Sequence, residues 1–206
     1  AGFDQQGSLY CQSAIAIEIL TFAPMRIANL HNLHLGRHIN WINGRVHINI
    51  PEDEVKNREP LHFILPQHLS DRVKIYINDW RDLFFASANP FLFPGRNGGP
   101  KNSAVLGRQI TRYSFKYAGI QITPHQFRHV AAKLLLDQKP GHYEVLRKLL
   151  GHKDLGTTYD HYAGAETQAA IELYDDVILD LKSDKPVRIN EPHFDPLNPF
   201  MKGRRR

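Results

Sequence analysis

Apolar and polar positions alternate along this chain with two periods, and the change from one to the other divides it into elements. The stretch from Tyr10 to Leu20 has Ile15, Ile19 and Phe22 three or four residues apart, which predicts a helix. A second helix is expected to open at Pro24, because a first-turn proline lacks only an N–H that has no partner within the helix. Arg26 then sits near a helix start. From Leu35 the period falls to two: Ile39 and Trp41, then Val46, Ile48 and Ile50, flank Asn43-Gly44, a pair that tolerates the positive φ angles of a tight hairpin. Leu61, Phe63 and Leu65 mark a third strand after a polar connection that contains Lys56.

Beyond Pro66 the helical period returns, with Leu69, Val73, Ile77, Trp80 and Phe84 on one stripe. A Gly- and Pro-rich loop from Asn89 to Pro100 follows. Ser103 to Ala118 is the next predicted helix, stopped by Gly119, and Thr123-Pro124 opens another, with threonine as N-cap and proline in the first turn. That helix carries His125, Phe127, Arg128 and the run Leu134 to Leu136. A shorter one runs from Tyr143 to Leu150 and closes at Gly151. A last amphipathic helix is expected from about Glu166 to Leu181, with Ala169, Ala170, Leu173 and Val177 on one face. The fold class is therefore α+β, mainly α: a helical domain over residues 1–181 with a small three-stranded antiparallel sheet in its N-terminal third. Residues 182–206, rich in proline and charge and ending Lys202-Gly-Arg-Arg-Arg206, are expected to be a mobile tail.

Composition narrows the classes. With 206 residues the chain is long enough to bury a core without staples, and its single Cys11 rules out an internal disulfide framework. The first residues lack the basic and apolar regions of a secretory signal, so a reducing, cytoplasmic setting is the expectation. The most apolar stretch, Ala14 to Ala28, is broken by Glu18 and Arg26, which argues against a membrane partner. Lys and Arg number 26 against 21 Asp and Glu, a formal charge of +5 with 12 His in reserve, and this suits a polyanion. Many proteins that never meet nucleic acid are equally basic.

Three segments carry chemistry: Ile122-Thr-Pro-His-Gln-Phe-Arg-His129, Leu149-Leu-Gly-His152 and Thr157-Thr-Tyr-Asp-His-Tyr162. His125 and Arg128 are three apart on a helix and so are expected to share a face and reach one phosphate, where a guanidinium fork suits two phosphoryl oxygens. His152 follows a helix stop, where the turn holds the imidazole. A tyrosine with its phenol pKa near ~10 needs cationic neighbours or a base before it can attack a phosphodiester. Each feature alone has a bland reading: a solvated charge, a capping histidine, or a tyrosine packed in a helix.

In this order the three segments resemble the C-terminal signature of the tyrosine recombinases, or phage-type integrases: a His-x-x-Arg box, a Leu-Gly-His box and a nearby tyrosine. The resemblance extends upstream. Thr21-Phe-Ala-Pro-Met-Arg26-Ile-Ala-Asn-Leu30 is similar to the segment that carries the family's first arginine, without its glycine and with Asn29 for the usual glutamate. Val55-Lys56-Asn-Arg58-Glu-Pro60-Leu61 is similar to the turn that carries its lysine, with Arg58 as the second choice. The resemblance implies the catalytic set Arg26, Lys56, His125, Arg128, His152 and Tyr162. Tyr162 stands ten residues after His152 where the family's usual spacing is nine; Tyr159, at seven, is the other candidate.

The same resemblance implies cleavage and rejoining of double-stranded DNA through a 3′-phosphotyrosyl link, with no cofactor, metal or ATP. It also implies self-association on DNA, from dimer to tetramer, in a bacterial cytoplasm, and an upstream DNA-clamping domain outside this chain. Two other readings stay open within the fold: an inactive DNA-binding accessory protein and a type IB topoisomerase-like enzyme. A third, a zinc enzyme gripping metal with His125 and His129 plus His152 or His161, lacks the acid of a His-Glu-x-x-His site, where this chain has Gln126.

Overall fold

A computed structural model describes residues 2–84 and 89–154, with the isolated positions 156, 174, 178 and 179. The terminal tail, Tyr159, His161 and Tyr162 lie outside the described residues, as does the helix expected from Glu166 to Leu181 apart from three of those isolated positions.

Helix α1 (Gly2–Phe22) packs against the helices that follow the sheet, burying Ile15, Ala16, Ile19 and Leu20. Its polar buried residues are partnered: Ser8 Oγ donates to the Trp80 carbonyl at 2.6 Å, and Gln12 Nε2 donates to the Tyr76 hydroxyl at 3.1 Å. The second helix, α2 (Ile27–His31), begins three residues later than the sequence suggests. Pro24 stays outside it because its carbonyl is taken by Arg128, while Met25 N–H turns back to the Ala23 carbonyl at 2.6 Å. Arg26 becomes the N-cap, in extended conformation.

The sheet is antiparallel in the order β1 (Ile39–Ile42), β2 (Arg45–Ile50), β3 (Leu61–Ile64). Asn43 and Gly44 both have positive φ, 51° and 77°, the hairpin geometry expected from that pair. Ile39 faces Ile48 and Ile48 faces Phe63, so one face of the sheet lies in the core and Arg45, His47 and Asn49 point the other way.

After α3 (Gln67–Ile75) the single long helix of the sequence reading becomes a wider turn over Tyr76–Trp80 and a tighter one over Arg81–Phe84. Tertiary bonds engage the end of this helix. Ser8 takes the Trp80 carbonyl, and the buried Arg81 donates to the carbonyls of Asn89 and Phe91.

Three helices follow with the expected stops and caps. In α4 (Ser103–Ala118) Asn102 Oδ1 accepts from the N–H groups of Ala104 and Val105, and Gly119 closes the helix at φ 70°. In α5 (Pro124–Gln138) Thr123 and Gln126 form a reciprocal capping box. In α6 (Tyr143–Leu150) Gly151 adopts φ 59°, and His152 N–H returns to the Arg147 carbonyl at 2.9 Å. A small second core of Ala132, Leu136, Tyr143, Leu146 and Leu150 holds α5 to α6.

Candidate active site

The capping box fixes the start of α5 and so the direction in which Arg128, one turn further on, projects. Only 4% of Arg128 is exposed. Its Nη1 donates to the Pro24 carbonyl at 2.7 Å and its Nη2 to the Leu150 carbonyl at 2.7 Å. Nη2 also stands 3.3 Å from His152 Nε2. One guanidinium thus ties the stretch leading into Arg26 to the turn bearing His152. A guanidinium only donates, so in this contact His152 Nε2 accepts and the imidazole proton resides on Nδ1. The ring is 8% exposed and held by its turn, as the Leu-Gly-His pattern suggests.

Arg26 is half-buried at the N-cap of α2, and burial draws its pKa below the ordinary value. A guanidinium stays charged through such a shift. Its Nη1 is buried without a hydrogen-bond partner among the described residues. A donor in that position is available to an anion.

Lys56 is exposed on a turn between β2 and β3. Arg58 N–H closes the turn on the Val55 carbonyl at 2.9 Å, Val55 is buried, and Arg58 takes a left-handed φ of 55°. Both sides of the turn are anchored. Before it, Asn29 Nδ2 donates to the Glu54 carbonyl at 3.2 Å, so the amide standing where the resemblance puts a glutamate finds a partner. The Glu54 carboxylate in turn pairs with Arg37 and lies 3.1 Å from His38 Nε2. After it, Asn57 Nδ2 donates to the Gly151 carbonyl at 3.0 Å.

His125 departs from the sequence expectation. It does not share a buried face with Arg128: it is exposed, and its Nε2 meets His129 Nε2 at 3.1 Å with the rings edge to face. The i, i+4 partner wins over the i+3 one because Arg128 turns inward to its two carbonyls. His125 lines a groove of about 980 Å³ together with Ile27, Arg108, Arg112, Phe115 and Thr123. Arg108 and Arg112 are one turn apart on α4 and both exposed, and this makes the groove cationic. Among the described residues no group of three or more His, Cys, Asp and Glu side chains is placed to hold a metal ion.

Arg128 and His152 therefore meet directly, and the stretches bearing Arg26 and Lys56 are bonded to them through the Pro24 carbonyl and the Asn57 amide, with His125 outside this set. Tyr162 lies outside the described residues.

Three residues that build this arrangement have no site role in the sequence reading. Asn57 is one. Arg147 is another: it donates to Glu144 at 2.8 and 2.9 Å and to the His152 carbonyl at 2.9 Å, and lies 3.9 Å from Glu59. The Glu144 bonds, above all, raise its pKa. Leu61 is the third, because a Cβ added to Gly151 would stand 2.6 Å from Leu61 Cδ2. An i, i+3 Glu-Arg pair on α6 is visible in sequence; contacts across 94 residues are not.

A family model described as the phage integrase family matches residues 2–169. The chain belongs to that family, the tyrosine recombinases. It is 38% identical over 96 residues to tyrosine recombinase XerC of Brucella melitensis, covering 45% of this chain and 29% of that protein. It is 28% identical over 155 residues to a tyrosine recombinase of Agathobacter rectalis, covering 74% of this chain and 48% of that protein. The chain thus spans less than half the length of these relatives. Among solved structures it resembles the XerH site-specific recombinase bound to palindromic difH substrate in a post-cleavage complex, with TM-score 0.65 and 22% identity, covering 81% of this chain and 46% of that one. It also resembles the Tn1549 transposon integrase in complex with transposon right end DNA, with TM-score 0.61 and 21% identity, covering 86% and 62%. These likenesses establish the fold as that of tyrosine recombinase catalytic domains.

Proposed function

We propose that residues 1–181 form a catalytic domain that cleaves and rejoins double-stranded DNA through a 3′-phosphotyrosyl intermediate, with residues 182–206 as a tail. The observation that carries this reading is the buried Arg128 guanidinium, which binds the Pro24 and Leu150 carbonyls and contacts His152. It preorganises positive charge and donors around one point, the arrangement that stabilises a pentavalent phosphoryl transition state. Arg26 and Arg128 would flank the non-bridging oxygens, with His125 and His152 as further donors.

Tyr162 is the proposed nucleophile. Its oxygen bonds to phosphorus, the bond to the 5′ oxygen breaks, and Lys56 protonates that leaving oxygen. The phenol proton passes to a neutral imidazole, for which His125 is the exposed candidate. One phosphodiester replaces another, so the step is reversible and consumes no ATP.

Arg108 and Arg112 would take backbone phosphates beside the site. Strand exchange needs two duplexes, and self-association on DNA, from dimer to tetramer, follows from that requirement. The bacterial sources of the XerC relatives support a bacterial cytoplasmic setting.

The test is incubation with pooled duplexes nicked beside a phosphodiester, in the presence of a chelator, followed by denaturing electrophoresis. A protein-DNA band resistant to denaturation is expected. Its absence, with DNA binding intact, would favour the inactive accessory reading.

A further inference from the structure

Lys56 is held from two sides, and the two holds are unequal. On the N-terminal side Glu54 is fixed by Asn29 through its carbonyl and by Arg37 through its carboxylate. Val55 is buried beside it. On the C-terminal side the hydrogen bonds to the turn among the described residues are the Arg58 N–H closure and the Asn57 amide on the Gly151 carbonyl, with Glu59 3.9 Å from Arg147 and Leu61 seated on Gly151 where β3 begins. The side of the contact that belongs to His152 is held differently. Its turn keeps the His152 N–H bond to Arg147, the Arg147 guanidinium on the His152 carbonyl and the Arg128 guanidinium on the Leu150 carbonyl.

We infer that Asn57 is a positioning residue that registers the Lys56 turn against the Gly151-His152 turn, so that the general acid and the phosphate-binding groups act at one phosphodiester. The inference rests on the strand-cleavage reading above. Removing the Asn57 amide loosens the turn bearing Lys56, which among the described residues then keeps the Arg58 closure and the longer 3.9 Å Arg147–Glu59 contact on that side, and leaves the His152 turn in place because three other bonds hold it. The deficit should therefore fall on protonation of the leaving oxygen. Phosphate binding should stay close to that of the unaltered chain.

That distinction can be read chemically. The chain, Asn57→Ala, Asn57→Asp and Lys56→Ala are each incubated with pools of nicked duplexes having randomised arms around one fixed scissile linkage. In one pool the linkage is an ordinary phosphodiester; in the other the 5′ bridging oxygen is sulfur, whose thiolate leaves without needing a proton. On the ordinary pool both Asn57 variants are expected to form the covalent adduct about ten- to a hundredfold more slowly, a loss bounded by what a general acid supplies. On the sulfur pool they should recover to within a few-fold of the unaltered chain, as should Lys56→Ala. DNA affinity of the Asn57→Ala variant should be unchanged.

A misfolded variant would be slow on both pools, so rescue separates positioning from loss of structure. Normal rates for the Asn57 variants on the ordinary pool overturn the inference alone, as does a loss that sulfur fails to restore while it restores Lys56→Ala. No adduct from the unaltered chain on either pool overturns the strand-cleavage reading and this inference with it.

Discussion

Arg128 Nη2 stands 3.3 Å from His152 Nε2 across 24 residues of sequence, and the same guanidinium holds the carbonyls of Pro24 and Leu150 at 2.7 Å. This arginine is at once a fold element and a phosphate-binding candidate, so its loss should show in both. Arg128→Ala leaves two carbonyls without this donor and is expected to cost about 2–4 kcal/mol of stability, measured by urea unfolding. Adduct formation should fall at least about a hundredfold. Arg128→Lys keeps the charge but cannot serve both carbonyls, and should recover stability only in part.

Gly151 carries a second constraint. Its φ of 59° disfavours any side chain, and a Cβ there would stand 2.6 Å from Leu61 Cδ2. Gly151→Ala is expected to lose about 1–3 kcal/mol. Adding Leu61→Ala relieves the clash but not the backbone, so the double variant should be less stable than Leu61→Ala alone.

At the start of α5 the Thr123 hydroxyl accepts from Gln126 N–H and the Gln126 side chain answers to Thr123 N–H. Thr123→Ala should destabilise the domain by about 1 kcal/mol. The test is the denaturation midpoint at unchanged slope.

On α4, Arg108 and Arg112 line the groove that His125 borders. If each takes one phosphate, the double alanine variant should weaken duplex binding at low salt and make the slope of log affinity against log salt shallower by roughly 0.9 per contact. An unchanged slope would remove α4 from the DNA surface.

Lys101 makes stability depend on alkaline pH. Burial chiefly, and then Arg96, lower its pKa to about 8 from 10.5. Below about 8 both folded and unfolded chains carry the charge, and the burial penalty is fully present. Between about 8 and 10.5 the unfolded state binds more protons, so this group's contribution to stability rises with pH across that window. Lys101→Met should flatten the rise, as followed by unfolding at a series of pH values.

Much of this fold is written in local patterns. The Asn43-Gly44 hairpin, the Thr123-Pro124 opening, and the stops at Gly119 and Gly151 depend on residues within a few positions of one another, and each stands where the sequence places it. The elements that differ do so for tertiary reasons. Helix α2 starts late because Arg128, 104 residues away, takes the Pro24 carbonyl. The helix after Pro66 changes form at Tyr76 because Ser8 and the Asn89 to Phe91 segment bond to its end.

The candidate site divides in the same way. The motif residues Arg26, Lys56, Arg128 and His152 could be picked out in sequence; Arg128 and His152 meet, and the stretches bearing Arg26 and Lys56 are bonded to them through Pro24 and Asn57. The partner of His125 could not, because which of two helical neighbours it meets depends on where Arg128 is drawn. Asn57 lies within the lysine-turn segment and Arg147 outside the motifs, and the role of each appears only when distant turns are placed side by side.

The central claim is that a tyrosine of this chain, Tyr162, attacks the DNA. The most direct measurement is to form the covalent protein-DNA adduct on pooled nicked duplexes with the unaltered chain, Tyr162→Phe and Tyr159→Phe, then digest it and identify the residue bearing the nucleotide. A phosphotyrosine link at Tyr162, lost only in Tyr162→Phe, is the expected result. An adduct that persists in Tyr162→Phe, or one borne by another residue, would contradict the account.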